Sequence, residues 1–96
     1  MDEYSQLLDS LKGESLRDVA KAVIVVWEDI WDHSDTWVDY PLTDEDMAPL
    51  FMRTMGYLVQ ANDKVIVVAS TVDVDHDIMS QVTVLPRGCI KSLTVL

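Results

Sequence analysis

The sequence predicts a mainly β chain, an N-terminal helix followed by a five-stranded, strongly bent small barrel with a long acidic loop after the first strand. Three observations carry this. From Arg53 to Leu96 short apolar runs recur between turn residues, a glycine (Gly56) interrupts the first of these runs, and an Arg87-Gly88 turn precedes the last. The 96 residues make one domain, 1–96, with the helix in 1–13 and the barrel in 22–96. A chain of this size buries roughly 60–65% of its unfolded surface, which is marginal without good packing or a partner chain.

Each element has its own signal. Tyr4, Leu7, Leu8 and Leu11 follow the i, i+3, i+4, i+7 spacing of a helix stripe, with Asp2 and Glu3 at the positive end and Lys12 at the other, so a helix is expected over Asp2 to Lys12, stopped by Gly13. Glu14 to Lys21 reads either as a continued helical face or as a lead into a strand. Ala22 to Trp27 is β-branched, aromatic and apolar on both faces, as a central strand would be. The segment from Glu28 to Pro49 has no sustained period and reads as a loop, with a short helical turn expected from Thr43, where Thr-Asp-Glu-Asp offers a cap. Phe51 to Gln60 is the second strand, bent at Gly56; Asn62-Asp63 is a turn. Lys64 to Thr71, Met79 to Leu85 and Cys89 to Leu96 complete the set, with Ile90, Leu93 and Val95 pointing inward from the last strand.

Composition excludes several classes of function. No apolar run approaches the roughly 18 residues of a membrane helix, and the acidic start MDEYSQ lacks the basic and apolar regions of a secretory signal. A cytosolic protein with no membrane partner is expected. Cys89 stands alone, so no intramolecular disulfide is possible, and it reads as a small buried hydrophobe within a strand. The chain carries 17 acidic against 7 basic residues, a net charge of −10, and no Lys or Arg falls between Ala22 and Met52. Such a surface repels phosphates at long range, although Arg53, Lys64, Arg87 and Lys91 are able to gather on one barrel face. The acidic loop itself reads as a solvated loop, as a recruiter of a basic partner or as a polyanion mimic.

No catalytic motif is present, so no enzyme, cofactor or metal is expected. Asp73-Val-Asp75-His-Asp77 begins like a calcium loop, but Ile78 stands where the loop needs glycine and Val84 where it needs the bidentate glutamate. The three aspartates then belong to a strand face or hairpin tip. His33 and His76 have no second His or Cys at zinc spacing. Acid pairs such as Asp29 and Asp32 lack any accompanying signature, and three glycines are too few for a phosphate loop. Trp27, ending an apolar strand, reads as core with its indole N–H on a carbonyl. Trp31, Trp37 and Tyr40, in the acidic loop, read as an interaction patch or ring-interface anchors.

In the order of its elements the chain resembles the Sm/LSm family of SH3-like barrels. Gly56, Leu58, Asp63 and Val65 to Val68 stand where that family's first signature has glycine, one residue, leucine, an acidic turn and an apolar strand. Arg87, Gly88, Ile90 and Leu93 stand in the second, Arg-Gly followed by a short apolar strand. Compact phage-type Sm-like proteins are the most similar members, also with a Trp-acid strand end and an acidic insert. The resemblance implies a non-enzymatic, homo-oligomeric ring, closed by pairing the fourth strand of one subunit with the fifth of the next. It also implies binding of RNA or a nucleotide near Asn62, Asp63, Lys64, Arg87 and Gly88, in the host cytoplasm if the chain is phage-encoded. One departure matters: the family reads uridine with an asparagine in strand three, and Ile66 stands there. The alternative is a phage protein-interaction or anti-defence module that uses the acidic Trp-rich loop on a basic host protein.

Overall fold

The computed structural model describes residues 7, 11–13, 15–30 and 37–96. Its elements run as a single helical turn α1 (Leu16–Val19), β1 (Lys21–Asp29), β2 (Leu50–Ala61), β3 (Val65–Asp73), β4 (Ile78–Pro86), a 3-10 turn over Arg87–Cys89, and β5 (Ile90–Val95). The strands form one antiparallel sheet in the order β4-β3-β2-β1-β5. The chain is therefore mainly β and bent in the manner of a small barrel. Each strand read from the sequence is present, its ends displaced by no more than two residues. Most of the helix expected over Asp2 to Lys12 lies outside the described residues; Leu7 is buried in the core and Leu11 packs against it.

The bend is made in β2. Leu50 to Leu58 pair with β1, whereas pairing with β3 begins only at Tyr57 and runs to Ala61. The strand thus changes neighbour around Tyr57 and Leu58, and a bulge at Val59 follows at once, where the β3 register shifts between Leu58 and Gln60. Gly56 sits at the turning point because β3 passes over it: a Cβ there would lie 2.7 Å from the Ala69 carbonyl oxygen and 2.8 Å from Val68 Cγ1. Only a residue without a side chain permits that approach.

Residues paired across antiparallel strands share a face. Val23, Val25, Leu58, Ile66, Val68 and Leu85 point to the concave side and form the core with Leu7, flanked by Trp27, Ala61, Ile90 and Leu93. Val95 shares the inward face through its pairing with Val23 but is half exposed, since β5 is the edge of the sheet among the described residues. The Trp27 indole N–H donates to Thr54 Oγ1 at 2.9 Å rather than to a carbonyl, a bond between neighbouring strands. Cys89 falls in the 3-10 turn, not in a strand, and is only partly buried.

β1 and β3 are internal strands by hydrogen bonding, which accounts for their unbroken apolar runs only in part. On the outward face the alternate residues Ile24, Val26 and Val67 are half-buried and Ala69 is buried, while on the neighbouring strands β2 and β4 Met55 is 66% and Val84 56% exposed. Leu50 to Arg53 are exposed as well, so the far end of the β1–β2 hairpin stands clear of the core and the molecule is drawn out to 53 × 32 × 22 Å. In the long connection, Thr43 caps a turn over Asp44 to Met47, as its sequence indicates. Asp46 N–H donates to Thr43 Oγ1 at 3.1 Å and Thr43 N–H to Asp46 Oδ2 at 3.3 Å, a reciprocal capping box.

The ambiguous stretch before β1 resolves as α1, one turn held from a distance. Its first free N–H, on Leu16, donates to Asp77 Oδ1 at 2.7 Å, and Arg17 meets Asp75 at 2.8 Å. The tip of the β3–β4 hairpin thus caps a helical turn some sixty residues earlier in the chain, supplying negative charge at the helix N-terminus. Asp77 has a left-handed backbone, φ 57°, which aspartate tolerates better than β-branched residues.

The glycines provide a test of the bend. Gly56→Ala must displace the Ala69 carbonyl and should cost about 1 to 3 kcal/mol, a fall in Tm of roughly 5 to 20 °C. Gly88→Ala, with nothing within 4 Å of its Cβ position, should change Tm little. Equal, small effects in thermal denaturation would show that β2 does not depend on the close approach at Gly56.

Candidate functional site

Two connections meet at one end of the sheet. In the β2–β3 turn the Asn62 side-chain oxygen accepts from the N–H groups of Lys64 (2.8 Å) and Val65 (2.9 Å), while Asn62 N–H donates to the Val65 carbonyl at 3.0 Å. The asparagine thus acts as a turn former, its amide oxygen substituting for a backbone acceptor. Arg87 arrives from the end of β4: its backbone N–H donates to the Lys64 carbonyl and its Nη1 to the Asn62 carbonyl, both at 2.9 Å. The five residues singled out in the sequence are thereby brought together, Asn62, Asp63 and Lys64 on one turn and Arg87 and Gly88 on the other.

Their roles differ from those expected of a free binding residue. Arg87 is half-buried and its guanidinium braces the neighbouring turn, so part of its contribution is structural. Asp63, Lys64 and Gly88 are exposed. Beside Arg87 an open cleft of about 400 Å³ is lined by Ile90, Lys91, Ser92 and Leu93. Lys91 pairs with Glu28 across β1 and β5 at 3.3 Å, with both side chains well exposed, which leaves that bridge worth little in water. Arg53 stands apart, on β2 opposite Val26. Of the four cations able to gather, Arg87 bonds the Lys64 backbone and lines one cleft with Lys91. The arrangement offers two positive side chains, a hydroxyl and apolar ground to an anionic ligand. Ile66 is fully buried in the core, so the strand position from which the Sm family reads a base faces away from any ligand here.

The acidic loop presents the second candidate surface. Trp37 is 98% and Tyr40 96% exposed; Trp31 lies outside the described residues. A second concavity, of about 350 Å³, lies between Gly13, α1, Val59 and Met79 with Asp77 at its rim. Nothing local in the sequence announces it, because it exists only where the β3–β4 tip clasps α1.

At that tip the three aspartates serve different partners. Asp73 Oδ1 accepts from the N–H groups of Asp75 (3.1 Å) and His76 (3.2 Å), and its Oδ2 lies 2.9 Å from the His76 ring, while Asp75 and Asp77 turn to α1. Among the described residues no group of three or more His, Cys, Asp or Glu side chains is arranged to hold a metal ion. The Asp73 carboxyl is held below its ordinary value of 3.8, first by the hydrogen bond to the His76 ring and then by the His76 backbone N–H.

No helix among the described residues is long and apolar enough to cross a membrane. Compared with protein-family models, with curated proteins and with solved structures, the chain matches none.

A carboxylate whose pKa is depressed on folding stabilises fully above its ordinary value and loses that contribution as pH falls through the lower, folded value. Asp73→Asn is therefore expected to lower the thermal midpoint slightly near neutral pH and to approach wild type as the pH is taken below 3.8. A difference that widens on acidification would contradict this account of the hairpin.

Proposed function

We propose that the chain is a non-enzymatic, Sm-like binding module that assembles edge to edge and binds RNA or a nucleotide, without a cofactor, at the basic end formed by Lys64 and Arg87. The observation that carries this reading is the convergence of the β2–β3 turn with the Arg-Gly turn, locked by the Arg87 Nη1 bond to the Asn62 carbonyl. The two edges of the sheet lend it further support. β4 and β5 end the strand order, and the hydrogen bonds fix which groups they present.

Leu96 N–H bonds the Ala22 carbonyl, so alternation directs the N–H groups of Thr94 and Ser92 at β1 and those of Val95 and Leu93 outward. Arg87 N–H bonds the Lys64 carbonyl, so Leu85 and Thr83 point at β3 while Val84 and Val82 point outward. Pro86 follows the same alternation, and its missing N–H falls on the open side, where proline does least harm. Two edges whose alternate backbone groups face away from the sheet invite strand pairing, and one from each of two copies satisfies both. Phosphate contacts through Lys64 and Arg87 must work against the net charge of −10, which makes binding weak and sensitive to the loss of either cation.

A second reading, a protein-interaction or anti-defence module of a phage acting in the host cytoplasm, is favoured by the exposure of Trp37 and Tyr40 on the acidic loop. Pull-down from host lysate with wild type and with Trp37→Ala/Tyr40→Ala separates it from the first reading: a basic host protein lost with the aromatics supports the module.

For the Sm-like reading, Lys64→Ala should weaken binding to single-stranded RNA and reduce the salt slope by about one contact. Arg87→Ala should do the same while also costing about 0.5 to 1.5 kcal/mol of stability through the lost bond to the turn. Binding titrations at several salt concentrations decide this, and unchanged slopes in both variants would remove the basic end as the site. Val95→Pro deletes an outward N–H without touching the β1 ladder. It should reduce a ring-sized particle to its subassemblies in light scattering, and an unchanged mass would remove edge pairing.

A further inference from the structure

Lys91 stands between an acid and a cleft. The cleft beside Arg87 follows β5 from Ile90 to Leu93, and its volume of about 400 Å³ falls in the range of small-ligand sites. Arg87 and Lys91 bring two positive charges to it, Ser92 a hydroxyl, and Ile90 and Leu93 apolar side chains that also pack against the core. Among the described residues no Asp or Glu lines it, in a chain with 17 acids. Glu28 acts on it only through Lys91, its Oε2 lying 3.3 Å from the Lys91 Nζ.

Resting on the reading of the basic end as a nucleotide site, we propose that this cleft takes a terminal phosphate, the phosphomonoester of a nucleotide or of an RNA end, between Arg87 and Lys91, and that Glu28 is an internal competitor which the phosphate displaces from Lys91. Charge selects the monoester over an internal phosphodiester. A monoester carries about −1.5 to −2 near neutral pH, whereas each phosphate within a strand carries a single negative charge. Exchanging Glu28 for a diester gives Lys91 no more negative charge than it already faces; a monoester gives it more. The exchange costs the protein little, because a bridge between side chains 47% and 38% exposed is worth little in water.

The backbone explains why Lys91 has two partners. Val26 pairs with Ser92 and Trp27 with Ile90, so Lys91 is the extra residue of a bulge in β5, and a bulge re-aims the side chain it carries. Glu28 is the next residue of β1 after the last one paired with β5, which puts it within reach of that side chain. Arg87 is placed differently: its Nη1 bonds the Asn62 carbonyl and its backbone N–H the Lys64 carbonyl, so its position in the cleft wall is set by the neighbouring turn. The guanidinium supplies a braced charge and the lysine, on its flexible stem, a movable one. Ser92 offers a further hydrogen bond to phosphate, and Ile90 and Leu93 offer the nucleoside apolar ground.

Calorimetric titration of the full chain at one fixed salt concentration tests this with a short single-stranded RNA bearing a 5′-phosphate, the same RNA with a 5′-hydroxyl, adenosine 5′-monophosphate and inorganic phosphate. The 5′-phosphate should tighten RNA binding about tenfold, through its charge-assisted contacts. Glu28→Gln should tighten the phosphorylated RNA further, by about twofold to fivefold, the worth of an exposed ion pair, and leave the hydroxyl RNA unchanged. Lys91→Ala should abolish the preference for the phosphorylated end, with circular dichroism verifying that the strands persist in both variants. Adenosine 5′-monophosphate should bind more tightly than inorganic phosphate; equal affinities would make the cleft a free-phosphate site and overturn the nucleotide assignment. RNA binding that is weakened by Lys64→Ala but indifferent to the 5′-phosphate, to Glu28→Gln and to Lys91→Ala overturns the proposal while the basic end stands as the site. A wild type that binds none of the four probes overturns both. A change of particle mass in Lys91→Ala with the phosphate preference intact would assign the cleft to the contact between copies, and that too overturns the proposal.

Discussion

The close approach of β3 to Gly56 governs the rest of the molecule. With the Ala69 carbonyl 2.7 Å from where a Cβ would stand, β2 can leave one neighbour and take up another within a few residues. From that change of partner follow the concave core, the opposite ends of the sheet at β4 and β5, and the meeting of the β2–β3 turn with the end of β4. A straight β2 would spread the same strands into a flat sheet whose small apolar side chains could not enclose a core of this size.

The small core explains the reliance on polar ties at the periphery. Ten hydrophobic residues are buried, and no polar or charged residue is buried among those described. Hydrogen bonds and ion pairs therefore act at the rim. Asn62 shapes one turn, Asp73 another, Arg87 joins two connections, and Asp75 and Asp77 secure α1. Each is wholly or partly open to solvent and contributes modestly alone. Together they determine which loops lie side by side. The acids of the β3–β4 tip thus have structural partners, as Asp46 has in the Thr43 turn of the long loop.

Charge and apolar surface are separated in an uncommon way. Acids crowd the loop between β1 and β2, the cations of the turns collect at the far end, and three strands between them carry almost none. A ligand-binding reading draws on the far end, an assembly reading on the edges, and a partner-capture reading on the loop. These are different surfaces of one sheet, so the functions can be separated by substitution.

The strands were legible because their signals are local: β-branched runs, Gly56 inside one of them, and turn residues at Asn62-Asp63 and Pro86-Gly88. The capping turn at Thr43 was legible for the same reason. The grouping of Asn62, Lys64 and Arg87 could be named from a resemblance, but the bond that makes it, from a guanidinium to a carbonyl 25 residues away, has no local signature. Nor could spacing reveal that Asp77 caps α1, that Trp27 donates to Thr54, or that Ile66 lies wholly inside. An apolar residue on each side of a strand reads the same whether the second side is covered or open. By itself the sequence determined where the strands run and where the charge lies, since both depend on neighbours in the chain. The tertiary structure decided which turns meet and which apolar face is left bare, because those depend on the point at which β2 bends.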